Sequence, residues 1–432
     1  MAASTRMTGA NWPSGDYVES GEALAILDVK PQTFYSYVSR GLIRRVSPNG
    51  RSGFYNREDI YRLKARSKAR AGHGAVAESA MHWGEPVLST GITEITAQGP
   101  RYRAHLALDL VRDEQPIEAV AEYLWSGTIS AKAVSWPVSR SAARMATQLT
   151  DLVARYPELH MGQLLTEAVL LHAMDREPGS QEVGPGASLP TARALIQVLC
   201  GASGLLGPNK SFIRQEEGES TASVVTRALG VGTDAHKVRA INAAFVLLAD
   251  HEFTPATFAA RIAASAGVDL HACIGAALQV HFGAALGLRC DRMEQELLRQ
   301  PSSGVALSDR RAHADLVQTG FSHPLYVNGD PRAQKILELA IGLKEYDGVV
   351  RATRDRLEQI ERSDGRLSLD AALVLLCRAL GLDKPMAGGL LALGRAVGWI
   401  AHVIEQREQD FMIRPRGRFT GAGATGAAIR AA

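Results

Sequence analysis

Cysteine is scarce: Cys200, Cys273, Cys290 and Cys377 lie far apart in 432 residues with no CxxC pair. That spacing argues against a disulfide scaffold or a cysteine-based zinc site and leaves buried thiols as the expectation. No run of 18 uninterrupted apolar residues occurs, and the opening MAASTRMTGANWPSGDYVES has no apolar signal-peptide core. Membrane spanning and export are therefore not expected, and a cytoplasmic protein is. Strand-like alternation of β-branched residues is nearly absent. There is no GxGxxG after a strand and no P-loop, since LLGPNKS at 205–211 lacks the spaced glycines, which counts against nucleotide chemistry. With 41 glycines, 18 prolines and 22% charged residues, the chain is neither disordered nor fibrous. Its 46% hydrophobic content supports a large core and two or three domains.

The formal net charge of +3 hides an asymmetry. Residues 1–70 hold 12 Lys or Arg against 6 Asp or Glu, so the remainder carries −3. A small basic module on a neutral body fits this pattern. Within it, Ser20 precedes an apolar-periodic stretch through Ala23, Leu24, Ile26 and Leu27, which predicts a helix. A second helix is predicted from Pro31 through Phe34 and Val38 to a stop at Gly41. Asp28 to Lys30 form the tight turn of a helix-turn-helix. Pro48, Asn49 and Gly50 then turn between two short extended pieces, and a third helix starts near Arg57. In ALAILDVKPQTFYSYVSRGLI and SGFYNREDIYRL this module, residues 15–68, resembles the winged helix-turn-helix of the mercury-resistance-regulator (MerR) and excisionase group. The resemblance implies DNA contacts from Lys30, Gln32, Thr33 and Tyr35 at the start of the recognition helix, and phosphate contacts from Arg40, Arg44, Arg45 and Arg51. The alternative keeps the fold but makes it a docking or dimerisation module.

Residues 69–82 are small and polar without apolar period and read as a linker. The body, 83–432, is predicted to be mainly α: 3.6-residue periodicity marks 117–126, 138–155, 160–175, 190–205, 220–230, 237–250, 256–266, 268–285, 291–299, 333–344, 348–362, 369–381 and 386–409. In such a core the informative residues are polar interruptions. Four islands stand out, at 250–253, 319–333, 367–372 and 391–421, and they contain His251, His323, Arg332, Asp370, Arg395 and Arg414. Two histidines, an aspartate and three arginines suit a small dicarboxylate: guanidinium forks bind carboxylates, imidazoles polarise a carbonyl and a carboxylate serves as base.

From GEPVLSTGITEIT and YLWSGT to GRAVGWIAHVIEQ and RPRGRFTG, the body resembles the citrate synthase family over nearly its whole length. The resemblance implies a large and a small helical domain, the latter inserted at roughly 286–375, closing on oxaloacetate and an acyl-CoA cosubstrate. It implies an acyltransferase dimer with no permanently bound cofactor and no metal. His251 would bind oxaloacetate, with Asp250 and Glu252 orienting its imidazole. His323 would protonate the carbonyl, Arg332 and Arg395 would hold carboxylates, and Arg414 would reach in from a neighbouring subunit. Asp370 would remove the methyl proton of the acetyl- or propionyl-thioester.

The chain departs from the family's Gly-Pro-Leu-His-Gly-Gly loop. In GAALGLRC, residues 283–290, Leu286 occupies the place of the histidine that stabilises the enol, and Ser322 replaces a usual glycine in GFSH. Losing a positioned donor costs on the order of 10²- to 10⁴-fold in rate, about 3–5 kcal/mol. Three possibilities follow: a slow or altered condensing enzyme, the non-catalytic half of a hetero-oligomer, or a metabolite-responsive DNA-binding regulator. His281, five residues before Leu286, is either a substitute donor or a partly exposed helical residue.

Overall fold

The computed structural model describes residues 17–27, 29–40, 42–46, 53–57, 59–61, 63, 88–130, 134–140, 142–175, 186–283, 290–291, 325–326, 329–343, 351, 355, 367–382, 385–409 and 411–415. The linker and most of the 286–375 insertion lie outside them.

The N-terminal segment builds its own small core. Strand β1, Tyr17–Glu19, leads directly into α1, Ser20–Leu27, and α2 covers Pro31–Ser39. Proline at the first turn of α2 costs no hydrogen bond there and presets the helical φ. Strands β2, Arg45–Val46, and β3, Phe54–Asn56, pair antiparallel, and β3 also pairs with β1 in the order β1-β3-β2. Strand β1 was not anticipated from sequence. Val18, Ala23, Leu27, Phe34, Ile43, Tyr55 and Ile60 fill the space between sheet and helices.

The body starts with a three-stranded antiparallel sheet, β4 to β6, at Thr93–Thr96, Gly99–Tyr102 and His105–Leu106. This sheet was missed because its strands are too short to show alternation. The helices follow: α3 (Ala107–Arg112), α4 (Ile117–Ser126), α5 (Ala142–Arg155), α6 (Met161–Met174), α7 (Leu189–Ala202), α8 (Thr221–Leu229), α9 (Ala235–Leu248), α10 (Pro255–Ser265), α11 (Leu270–His281), α12 (Pro331–Gly342), α13 (Leu369–Ala379) and α14 (Ala387–Glu408). Several carry readable start signals: the side chains of Ser220, Asp234, Thr254, Asp269, Asp330 and Ser368 each accept a hydrogen bond from a first-turn N–H, satisfying donors that the helix leaves open.

Helix α14 is the axis of the body, packing against α4, α7, α9, α10, α11 and α13. It is long and apolar enough to cross a membrane by length and composition, yet almost all of that stretch is buried in the protein core. Glycine makes its close packing possible. A Cβ on Gly394 would lie 2.9 Å from Leu248 Cβ, and one on Gly398 would overlap Ala249 O and the Asp250 side chain. The absence of side chains there lets α14 press onto the end of α9, where the ionisable cluster begins.

Candidate active site

Asp250, His251 and Glu252 sit just beyond α9 and before α10. A helix end explains why three consecutive polar residues can interrupt an apolar run: the chain turns, and Glu252 takes φ +56° while donating its N–H to Asp250 Oδ2 at 3.1 Å. The expected division of labour is corrected here. Asp250, wholly buried, pairs with His402 and not with its neighbour; His402 Nε2 lies 3.2 Å from Asp250 Oδ2. His251 Nε2 instead meets the Tyr326 hydroxyl at 3.0 Å.

Burial opposes the charge on Asp250, but His402 and Arg395 outweigh it and hold the carboxyl below its usual range. Burial likewise pushes His402 down, and is overcome by Asp250 and then Glu405, so the imidazole is raised. Glu405 continues the network. It accepts from Gly91 N at 2.6 Å and from Arg261 Nη1 at 2.6 Å; despite burial, His402, Gly91, Thr90 and Arg261 hold it down at about 2. Arg261 is fully buried and completes its fork on Gln406 and Gln409.

Arg332 and Arg395 face the same region. Arg332, in the first turn of α12, is held by Asp330 through Nε at 3.0 Å and Nη2 at 2.7 Å, while its guanidinium lies over the Tyr326 ring, 5.8 Å from the centroid. Burial works against its charge, and Asp330 more than compensates, raising its pKa. Its Nη1 is buried with no hydrogen-bond partner among the described residues. Arg395 donates Nε to Leu248 O at 2.7 Å. Burial, and then the repulsion of Arg332, lower its pKa against the pull of Asp250. Arg332 and Arg395 are thus buried cations that repel each other, each beside a buried carboxylate, Asp330 and Asp250, and Arg332 keeps one N–H without a partner among the described residues.

Asp370 lies half-buried in the first turn of α13. His281, at the end of α11, feels both Asp370 and Arg395. It is buried, not partly exposed, with Nε2 3.2 Å from Gly388 O and its ring 5.5 Å from that of Trp399. Burial pushes it down to about 4, with Arg395 adding to the shift and Gly388 and Asp370 opposing it. Gly388 N also bonds Asp291, whose carboxyl burial raises to about 6.

Arg414 is exposed and makes no hydrogen bond or ion pair among the described residues; its segment is tied to α10 by Ile413 N donating to Ser265 Oγ at 3.1 Å. His323, Leu286 and Ser322 lie outside the described residues. Sequence reasoning missed Tyr326, Asp330, His402, Glu405 and Arg261. The signal for His402 was present, since it follows Arg395 by seven residues and so shares its helix face. No group of three or more His, Cys, Asp or Glu side chains suited to a metal occurs among the described residues.

In the N-terminal segment, Lys30 stands exposed at the N-cap position of α2 without a side-chain capping bond, and Gln32, Thr33 and Tyr35 are exposed along the helix, with Arg40 at its C-cap. Arg45 is exposed on β2. Arg44 is committed to the fold, donating to Asp59 at 2.8 Å from Nε and to Asn56 at 3.1 Å from Nη2. Arg51 lies outside the described residues.

The mainly helical architecture with two buried arginines near one another sets the class of the protein, and comparison with known proteins narrows it. The model of the citrate synthase C-terminal domain matches residues 81–416. The chain belongs to the citrate synthase family. It is 30% identical over 194 residues to citrate synthase 2 of Bacillus subtilis, covering 43% of this chain and 51% of that one. It is 26% identical over 207 residues to 2-methylcitrate synthase of Shewanella oneidensis, covering 44% and 53%. The chain thus spans about half the length of the curated relatives it matches. Among solved structures, the ternary complex of citrate synthase from Thermoplasma acidophilum with carboxymethyl coenzyme A and oxaloacetate shares the fold, with a TM-score of 0.63, 19% identity and coverage of 81% of this chain and 98% of that one. Citrate synthase from Thermotoga maritima gives a TM-score of 0.59 at 19% identity, covering 81% and 98%.

Proposed function

We propose that the protein condenses an acyl-CoA, with an acetyl or propionyl group, with oxaloacetate. The observation that carries this reading is the pair Arg332 and Arg395, both buried, with Arg332 Nη1 left without a hydrogen-bond partner among the described residues. A dicarboxylate would relieve the repulsion and satisfy Arg332 Nη1. Asp370 would take a proton from the carbon next to the thioester carbonyl, and that carbon would bond to the ketone carbon of oxaloacetate. The ketone oxygen would take a proton from His323, and water would then cleave the thioester to release the CoA thiol. No metal is needed, because arginines and histidines supply the electrophilic groups. Arg414 would complete the site of a neighbouring subunit, in a homodimer or a hetero-oligomer.

A second reading rests on Leu286, which offers no donor to an enol oxygen, and on the basic N-terminal segment. In it, cleft closure on the ligand reorients a DNA-bound module, or the chain serves as a non-catalytic subunit; the switch requires only that open and closed states differ in ligand affinity.

Thiol release from acetyl-CoA and propionyl-CoA with oxaloacetate separates the two. Turnover that Asp370→Ala abolishes establishes the enzyme. A silent protein whose melting temperature still rises with oxaloacetate is the sensor or partner subunit.

A further inference from the structure

The turn between α9 and α10 rests on the small sheet. Thr93 of β4 and Tyr102 of β5 are a cross-strand pair, so their side chains leave the same face of the sheet side by side, and both are buried. The Tyr102 hydroxyl sits at the end of α9. It donates to Val246 O at 2.8 Å, with Leu247 O at 3.2 Å and Asp250 O at 3.3 Å beside it, and accepts from Asp250 N at 3.2 Å. One phenol thus serves carbonyls that the helix end leaves open and the backbone of Asp250 as well. Burial raises its pKa well above the ordinary phenol range, so the proton stays on, and Arg332 and Arg395 both lie near enough to oppose that shift. Thr93 addresses the other half of Asp250: its hydroxyl adds to the depression of the carboxyl, although Thr93 Oγ1 and Asp250 Oδ1 stop short of full hydrogen-bonding geometry. Asp250 is therefore met by the sheet at its backbone and near its carboxyl, directly before His251. Two residues on, Glu252 takes its φ of +56°, and a non-glycine residue keeps such a conformation only where its surroundings over-determine it.

We propose that Tyr102 and Thr93 are positioning residues: acting through Asp250, and not on the ligand, they fix the turn that presents His251 to a dicarboxylate. The sheet β4 to β6 is then part of the binding apparatus as well as of the core. The inference rests on the dicarboxylate reading of this site and adds what holds the site in shape. Binding groups work only when their supports keep them within about 0.5 Å of the productive geometry. Loss of a supporting hydroxyl therefore shows in affinity, whereas loss of a contact that only packs shows in stability alone.

The test uses the full chain and four variants. Tyr102→Phe and Thr93→Val each remove one hydroxyl and keep the bulk of the side chain; Thr93→Ser restores the hydroxyl; Ile92→Val trims a buried neighbour that does not contact Asp250 through a polar group. For each, the melting temperature without ligand is recorded, and the dissociation constant for oxaloacetate is obtained from the dependence of melting temperature on its concentration. Tyr102→Phe and Thr93→Val are each expected to weaken oxaloacetate binding by roughly tenfold. Thr93→Ser is expected to keep the wild-type affinity. Ile92→Val is expected to lower the melting temperature and leave the dissociation constant in place. If Tyr102→Phe and Thr93→Val melt earlier but bind oxaloacetate as the wild type does, the pair serves the fold alone and the proposal is overturned. Should Tyr102→Phe fail to fold, Thr93→Val against Thr93→Ser decides by the same criterion. A wild type whose melting temperature does not respond to oxaloacetate removes the dicarboxylate reading and the proposal with it, whereas unchanged affinity in the variants leaves that reading standing.

Discussion

At the scale of single residues, the site turns on groups that are costly to leave unpaired. Arg395 places its Nε on Leu248 O, which fixes the orientation of its guanidinium. Lysine cannot reproduce that arrangement. Arg395→Lys is expected to weaken oxaloacetate binding by about one to two orders of magnitude, read as a reduced ligand-induced rise in melting temperature. Leu286→His restores the family's donor and, on the condensing reading, is expected to raise the rate of thiol release by about 10²-fold or more, measured under saturating substrates. His251, Arg332 and Arg395 stood out in the sequence as polar interruptions of an apolar chain, and the fold buries all three. The partners that set their chemistry were not. Asp250 was expected to orient His251, and only the fold shows that α14 delivers His402 to it from 152 residues away. Arg44, read as a phosphate ligand, also pairs with Asp59 just before β2, a contact that charge counting could not reveal.

At the scale of elements, the approach of α14 to the end of α9 positions Arg395, Asp250 and His402 together. Gly398→Ala puts a methyl group into Ala249 O and the Asp250 side chain. It is expected to cost about 1–3 kcal/mol of stability, seen in denaturant unfolding, because overpacking forces the backbone apart. The ion network behind it also sets a pH window. Asp250 and Glu405 are depressed in the folded protein, so their contribution is present above the unfolded carboxylate range near ~4 and is lost as pH falls through their folded values. His402 is raised, so its contribution is fully present below the unfolded value of ~6.5 and is lost as pH climbs through the folded one. The stabilisation by the network is greatest between those limits. In His402→Gln the alkaline loss should disappear from a plot of melting temperature against pH, and the variant should be less stable by about 3–5 kcal/mol near pH 6, since Asp250 loses its buried partner. Most described helices were readable from the 3.6-residue period to within a few residues; α3 (Ala107–Arg112) was missed, and the helices expected at 291–299 and 348–362 fall almost entirely outside the described residues. The β4–β6 sheet was not, because two- and four-residue strands held by tertiary pairing leave too little pattern to detect.

At the scale of the whole molecule, a basic segment with its own core precedes a helical body of the citrate synthase family. If the segment binds DNA, the full chain should bind random duplex with affinity that falls steeply as salt rises, and deleting residues 1–70 should abolish that binding, measured by fluorescence anisotropy. Glu405 and Gln409, near the end of α14, hold the first described stretch of the body: Glu405 accepts from Gly91 N, and Gln409 Nε2 donates to Ser89 O at 3.4 Å. Two stretches more than 300 residues apart in sequence are thus fastened at one clasp. A pull transmitted through residues 69–82 would load this clasp first, and the body would peel from residues 88–91 before its helical core parted. In a single-molecule stretching experiment, Glu405→Gln should lower the force of the earliest rupture and leave later ones in place.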